Sequence, residues 1–170
     1  MPRVVLFQPQ IPPNTGNVAR TCAATATELH LIEPLGFQID DSRLRRAGLD
    51  YWPLVPLTRH PHLGAFFAHR DSHGGRLIAL SSHADQAYSS FRFHPNDWLL
   101  FGRETDGLPP DLMLQADARL YIPLARHAQG GTGGVRSLNL SVAVGVVLFE
   151  AIRQLNSGAA PSIAPSGSAF

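Results

Sequence analysis

The sequence predicts an α/β fold in which a mostly parallel sheet is flanked by helices. Two observations carry this. Short runs rich in β-branched and aromatic residues alternate with segments of helical pattern along most of the chain, and that alternation implies parallel strands covered on both faces. The closing helical segment is apolar around nearly its whole circumference, which requires burial on more than one side.

The elements follow in order. Residues 4–7, Val-Val-Leu-Phe, open the chain as a strand. Residues 9–13 carry three prolines and read as a turn, after which Asn14 or Thr15 caps a helix running to about Thr25. Residues 29–32 form a second strand, and Asp41 and Ser42 cap a short basic helix. Residues 54–57 are strand-like and residues 62–69 helical. Residues 77–80 are a strand followed by polar turns; residues 98–101 are a buried strand followed by a short helix at 111–115. Residues 120–122 form the last strand, and a glycine-rich loop leads into a helix over roughly 137–155. In that helix Leu140, Val142, Val144, Val147, Leu148 and Ile152 point in almost every direction, which in a chain of this size leaves one side for a partner subunit. One domain is expected over residues 1–156. The stretch 157–170, built of Ser, Gly, Ala and Pro with almost nothing to bury, reads as a disordered tail.

Composition removes several chemistries. Lys+Arg total 14 against 13 Asp+Glu, for a net charge of +1, so any nucleic-acid surface must be local. Every basic residue is Arg. Without lysine neither a Schiff base nor a phosphate-loop lysine is available, whereas the Arg fork suits phosphate. The single Cys22 excludes an internal disulfide and a multi-thiolate metal site. His60 and His62 flank Pro61, and His69 and His73 stand four apart. No carboxylate or thiolate frame completes either pair, so no metal is expected and the histidines read as surface residues. The longest apolar run, residues 142–149, falls well short of the about 20 residues that cross a bilayer. With no secretory pattern at the start, the chain reads as cytoplasmic.

Four motifs stand out. Pro12-Pro13-Asn14-Thr15-Gly16-Asn17 with Arg20 follows the first strand and gathers amides and a guanidinium at a helix N-terminus, where anions are favoured. An ordinary capped helix with a surface arginine gives the same pattern. Phe101-Gly102-Arg103-Glu104-Thr105-Asp106-Gly107-Leu108-Pro109 leaves a buried strand through glycine into a polar turn, and ligands of open α/β sheets sit at the carboxyl ends of strands. Ile122-Pro123-Leu124, the loop Gly130-Gly131-Thr132-Gly133-Gly134, and Arg136-Ser137-Leu138-Asn139-Leu140-Ser141 form the third; neither a phosphate loop nor the dinucleotide fingerprint is present. Arg43, Arg45 and Arg46 form the fourth. They suit a phosphate backbone, although Asp40, Asp41 and Asp50 would equally make a solvated ion-pair face.

Together these motifs resemble the SPOUT superfamily of RNA methyltransferases, most closely its YibK-like branch, which 2′-O-methylates the wobble nucleotide of certain leucine tRNAs. The resemblance runs from Val4 to about Leu155, with three motifs in order and residues 29–37 and 43–51 matching segments typical of the branch. It implies a homodimer with a trefoil knot near the C-terminus, S-adenosylmethionine as cofactor and tRNA as substrate. The cofactor pocket would be lined by Leu80, Gly102, Ile122, Leu124, Ser137 and Leu138, with Glu104 beside it. Asn14, Asn17, Asn139 and Ser141 would position the nucleotide, and Arg43, Arg45 and Arg46 would bind tRNA. The family assigns activation of the ribose hydroxyl to the position of Arg20. A guanidinium holds its proton, so the role expected of Arg20 is to clamp the adjacent phosphate and stabilise the developing alkoxide. Residues 125–135 are longer and richer in glycine than the family norm. Two other readings stay open: the same chemistry on another tRNA position or on ribosomal RNA, and an RNA-binding protein without catalysis.

Overall fold

The structure of the chain, a computed structural model, describes residues 1–37, 54–125 and 137–157. Its strands are β1 (Arg3–Phe7), β2 (Leu29–Ile32), β3 (Leu57–His60), β4 (Leu77–Leu80), β5 (Gln86–Ala87), β6 (Trp98–Phe101) and β7 (Ala118–Tyr121). They pair in parallel throughout, in the order β3-β2-β1-β6-β4-β7-β5. The helices are α1 (Pro12–Ala24), α2 (Leu63–His73), α3 (Pro110–Leu114) and α4 (Leu140–Asn156).

Both faces of the sheet are covered, which is why its strands are continuous apolar runs. Successive side chains point to opposite faces and so feed two cores. Val4, Leu6, Leu29, Leu31, Ile78, Leu99 and Leu120 pack with Val18 and Cys22 of α1 and with Val144, Val147 and Leu148 of α4. Val5, Phe7, Ile32, Leu77, Trp98 and Leu100 pack on the other side with Phe66 of α2 and Leu112 of α3. Burial pushes the Cys22 thiol up to about 12, so it packs as a small apolar group and supplies no nucleophile.

Several boundaries differ from the sequence reading, each for a local reason. The first helix starts at Pro12, because two prolines fit a first turn whose N–H groups need no intrahelical partner. Its cap position is Ile11, with no side-chain cap from Asn14 or Thr15. The strand expected at 54–57 pairs instead over Leu57–His60. Pro56 has no N–H for a ladder and only lends its carbonyl to Leu29 N. The last strand begins earlier, at Ala118, in register with Ile78. The two-residue β5 is too short and polar to leave a pattern. His62 caps α2 by accepting from Ala65 N, and that helix runs on to His73. The histidines are not all at the surface: His30 is fully buried and His60 only 4% exposed, for they stack on each other under α2 beside Trp98.

The expected basic helix after Asp41 with Arg43, Arg45 and Arg46, the loop around residues 130–134 and the tail from 158 lie outside the described residues. So does the passage through 126–136, on which any knot depends. Among the described residues no helix is long and apolar enough to cross a membrane, and no group of three or more His, Cys, Asp or Glu could hold a metal.

Candidate active site at the carboxyl edge of the sheet

The strand order places β1 beside β6, and β6 beside β4, with β7 next. Leu6 pairs with Phe101, Phe101 with Leu80, and Leu80 with Leu120. The four strands therefore end level, and the loops that leave them share one edge. Chain order reverses at β1, the place where open α/β sheets hold ligands.

The turn after β6 is held tightly. Arg103 and Gly107 exchange both backbone hydrogen bonds, at 3.1 and 3.0 Å, and Gly107 takes φ +72°, where glycine is at ease. A Cβ on Gly102 would stand 2.3 Å from the Gly107 carbonyl carbon and 2.5 Å from Leu108 N. Gly102→Ala is therefore expected to cost roughly 1–3 kcal/mol in urea unfolding and to disorder the turn; stability within a few tenths of the parent would mean that the turn yields freely. Arg103 grips Asp106 through Nε and Nη2, both at 2.6 Å. That hydrogen bonding holds the exposed Asp106 carboxyl below the usual range.

This turn is fastened to the chain that leaves β1. Arg103 Nη1 donates to Gln8 Oε1 at 2.8 Å, and Thr105 Oγ1 to Gln10 Oε1 at 2.8 Å. The Glu104 carboxylate accepts from Gln10 N at 2.9 Å, Ile11 N at 3.2 Å and Asn14 Nδ2 at 3.2 Å. It thus supplies, from 90 residues away, the acceptor and the negative charge that the start of α1 lacks in its own sequence. Asn14 passes the connection on: its Oδ1 accepts from Asn139 Nδ2 at 2.8 Å. Asn139 caps α4, its Oδ1 accepting from Ser141 N at 2.9 Å and Ser141 Oγ at 2.7 Å. One hydrogen-bonded junction ties together the three motifs and the starts of two helices.

The other expected site residues take their places around it. Asn17 and Arg20 lie on the exposed side of α1, one turn apart. Leu80 closes β4, Gly102 follows β6, and Ile122 and Leu124 follow β7. Leu80, Ile122, Leu124 and Leu138 are half-buried, while Ser137, two residues before Asn139, is exposed. Arg59 of β3, downstream of the basic cluster in sequence, is held by Glu33 at 2.7 Å. Gln8 and Gln10 are absent from the sequence reading of the site, and Arg103 and Thr105 stand in it only as members of the second motif, without a role. The two glutamines flanking Pro9 just after a buried strand are the available sign, but nothing local in sequence names their partners.

The donor set is one of backbone groups and aliphatic side chains at the ends of β4, β6 and β7, beside two helix starts. It suits a neutral heteroaromatic ring with an apolar face, and the helix starts favour an anionic group nearby.

Comparison with known proteins supplies the context. The profile of the SpoU rRNA methylase family matches residues 1–149. A curated relative in Escherichia coli strain K12, a tRNA (cytidine(34)-2′-O)-methyltransferase, is 45% identical over 157 residues, covering 91% of this chain and 94% of the relative. A solved structure described as giving insight into 2-OH methylation of C/U34 on tRNA is 47% identical with a TM-score of 0.82, covering 92% of this chain and 97% of its own. The SpoU methyltransferase AviRb of Streptomyces viridochromogenes, solved in complex with AdoMet, is 26% identical with a TM-score of 0.78, covering 93% of this chain and 61% of its own.

Proposed function

The chain belongs to the SpoU rRNA methylase family, and we propose that it transfers the methyl group of S-adenosylmethionine to the ribose 2′-hydroxyl of nucleotide 34, cytidine or modified uridine, in leucine tRNAs. The observation that carries this reading is the junction Glu104–Asn14–Asn139–Ser141, which joins all three motifs at the carboxyl edge. The near-full-length similarity to position-34 methyltransferases supports the choice of nucleotide, and the AdoMet-bound relative supports the cofactor.

The sulfonium cofactor supplies an electrophilic methyl group. The ends of β4, β6 and β7 would hold it: the backbone after Gly102, Ile122 and Leu124 would read the adenine edge, Leu80 and Leu138 would cover its faces, and Ser137 would complete the rim. Glu104 shapes the site from beside it through the start of α1. What remains for the protein is alignment, worth up to ~7–11 kcal/mol of a barrier, and help to the hydroxyl as it loses its proton. Arg20 clamps the phosphate next to the ribose and stabilises the developing alkoxide, with that phosphate taking the proton. Asn17 holds the nucleotide on the same face of α1.

Arg43, Arg45 and Arg46 carry the tRNA backbone. Replacing all three by Ala should weaken tRNA binding and flatten its dependence on log salt by about two to three in slope while cofactor affinity stays put. An unchanged slope returns them to a solvated face.

The protein works as a homodimer in the cytoplasm, where its tRNA substrate is. Val142 and Phe149 of α4 are 50% and 54% exposed, two turns apart on one face with Val146 between them. Phe149→Asp should raise the dimer dissociation constant at least about tenfold in sedimentation equilibrium; a dimer of unchanged strength rules this face out.

The reading is tested by incubating the protein with labelled S-adenosylmethionine and total tRNA and mapping the label. The expected product is a 2′-O-methyl at position 34 of leucine tRNAs. Label elsewhere in tRNA or in ribosomal RNA moves the substrate, and no transfer together with no calorimetric cofactor binding refutes the enzyme.

A further inference from the structure

The hydrogen bonds of the junction have a direction. A carboxylate can only accept. Because Glu104 takes Asn14 Nδ2, Asn14 must turn its oxygen the other way, and that oxygen takes Asn139 Nδ2. Asn139 must then turn its own oxygen toward Ser141, where it accepts both the backbone N–H and the hydroxyl proton. The start of α4 demands the same orientation independently, since the Ser141 backbone group is a donor. Every amide is fixed at both ends, and the result is a Ser141 hydroxyl whose proton is held inward at 2.7 Å. Its oxygen keeps its free lone pairs for whatever lies beyond it.

We infer that Glu104 is a positioning residue that acts through Asn14 and Asn139 to make Ser141 a hydrogen-bond acceptor for a hydroxyl of the nucleotide. This rests on the methyltransferase reading above. A serine free to rotate would offer its proton as readily as its lone pair. The relay removes that choice, so a substrate hydroxyl docked on Ser141 must donate. In the docked state this leaves the hydroxyl's lone pairs facing outward, toward the group it attacks; as the new C–O bond forms, the proton passes from its hydrogen bond with Ser141 to the phosphate held by Arg20. No proton leaves Ser141 and no bond forms to it.

The inference makes a specific claim about Glu104→Gln. One carboxylate oxygen becomes an NH₂ that can only donate. Placed at the Oε1 position it opposes both Asn14 Nδ2 and the fixed Ile11 N; Asn14 yields by presenting its oxygen, and its Nδ2 then turns to Asn139 and competes with Ser141 for the Asn139 oxygen. The Ser141 proton is released outward and the acceptor is lost. Adding Asn14→Asp restores the order, because the new carboxylate has oxygens on both sides: one accepts from the introduced glutamine, the other from Asn139 Nδ2.

The experiment measures kcat and KM for tRNA, calorimetric cofactor affinity and thermal midpoint for Glu104→Gln, Ser141→Ala, their double variant, and Glu104→Gln with Asn14→Asp. Glu104→Gln and Ser141→Ala should each lower kcat by about tenfold or more with cofactor affinity unchanged. Their double variant should be no more than about twofold worse than Ser141→Ala alone, since both remove one acceptor. Asn14→Asp should return Glu104→Gln to within about threefold of the parent. Losses that multiply, as a merely structural glutamate would give, overturn the inference. So does a folded, cofactor-binding double variant of Glu104→Gln with Asn14→Asp that shows no recovery. In the parent itself, NMR should find the Asn139 side-chain nitrogen bonded toward Asn14, and a nitrogen facing Ser141 overturns the relay whatever the variants do. A parent that transfers no methyl overturns the function and the relay's part in it together; an active parent with multiplying losses overturns the relay alone.

Discussion

Arg20→Ala should lower methyl transfer to tRNA on the order of 10²–10³-fold while leaving cofactor affinity unchanged. Arg20 sits on the exposed side of α1, one turn beyond Asn17 and about two beyond Asn14. Asn14 is buried and fixed by Glu104 and Asn139, so the helix that carries Arg20 is anchored at its start. Its core side, Val18, Ala19 and Cys22, is locked against α4. A donor carried on a helix so firmly anchored starts close to where charge develops on an alkoxide, the situation in which one lost donor costs about 10²–10³ in rate. The residues proposed to hold the cofactor lie at the ends of β4, β6 and β7 rather than on α1, so its calorimetric affinity should not follow the rate. Arg20→Lys should recover little, because a point charge does not reproduce a fork on phosphate. Near-parental turnover by Arg20→Ala at saturating tRNA would remove Arg20 from the reaction. A fall in cofactor affinity matching the fall in rate would move it to the cofactor.

What the sequence discloses, and what it hides, divides along the range of the interactions. The strands with both faces buried, Leu29–Ile32, Leu77–Leu80 and Trp98–Phe101, are readable to the residue, because a short apolar run between polar breaks has few other fates. The start of α1 escapes a local reading because its cap is not local: the acceptor that serves Gln10 and Ile11 is Glu104. The three motifs are visible one by one, and their order suggests a shared site. The bonds from Glu104 to Asn14 and from Asn139 to Asn14 span 90 and 125 residues, and no periodicity encodes such pairings. Gln8 and Gln10 stay hidden for the same reason. His30 is hidden differently. In an apolar four-residue strand its neighbours point to burial, yet composition alone assigns a histidine to the surface.

That buried histidine predicts a loss of stability in mild acid. His30 on β2 bonds His60 of β3, Nδ1 to Nε2 at 3.0 Å, and reaches Glu28 through Nε2 at 3.4 Å. Its ring lies against Trp98 of β6 and His69 of α2, and His73 stacks on His69. Arg3 of β1 holds Glu28 from the other side at 3.2 Å. Burial pushes the His30 imidazole from its ordinary 6.5 down to about 4; His60 and His69 push the same way, and Glu28 opposes them. His60 and His69 are lowered as well, chiefly by burial. The sign follows. Between about pH 6.5 and 4 the unfolded chain binds a proton at this residue and the folded chain does not, so stability rises with pH across that window. It is whole above pH 6.5 and is lost as pH falls toward 4, by up to about 3 kcal/mol from His30. Urea unfolding from about pH 4.5 to 7.5 should show this fall, and His30→Gln, which keeps a neutral partner for His60, should flatten it. Identical slopes in parent and variant would place the titration elsewhere. The β2–β3 edge is where the strain of a second charge would act, since His30 and His60 face each other across it, packed among Trp98, Phe66 and His69, with Glu28 reaching only His30, at 3.4 Å. Those two strands also bracket, in sequence, Arg43, Arg45 and Arg46, so the same acid that loosens the edge should weaken tRNA binding before it weakens binding of the cofactor.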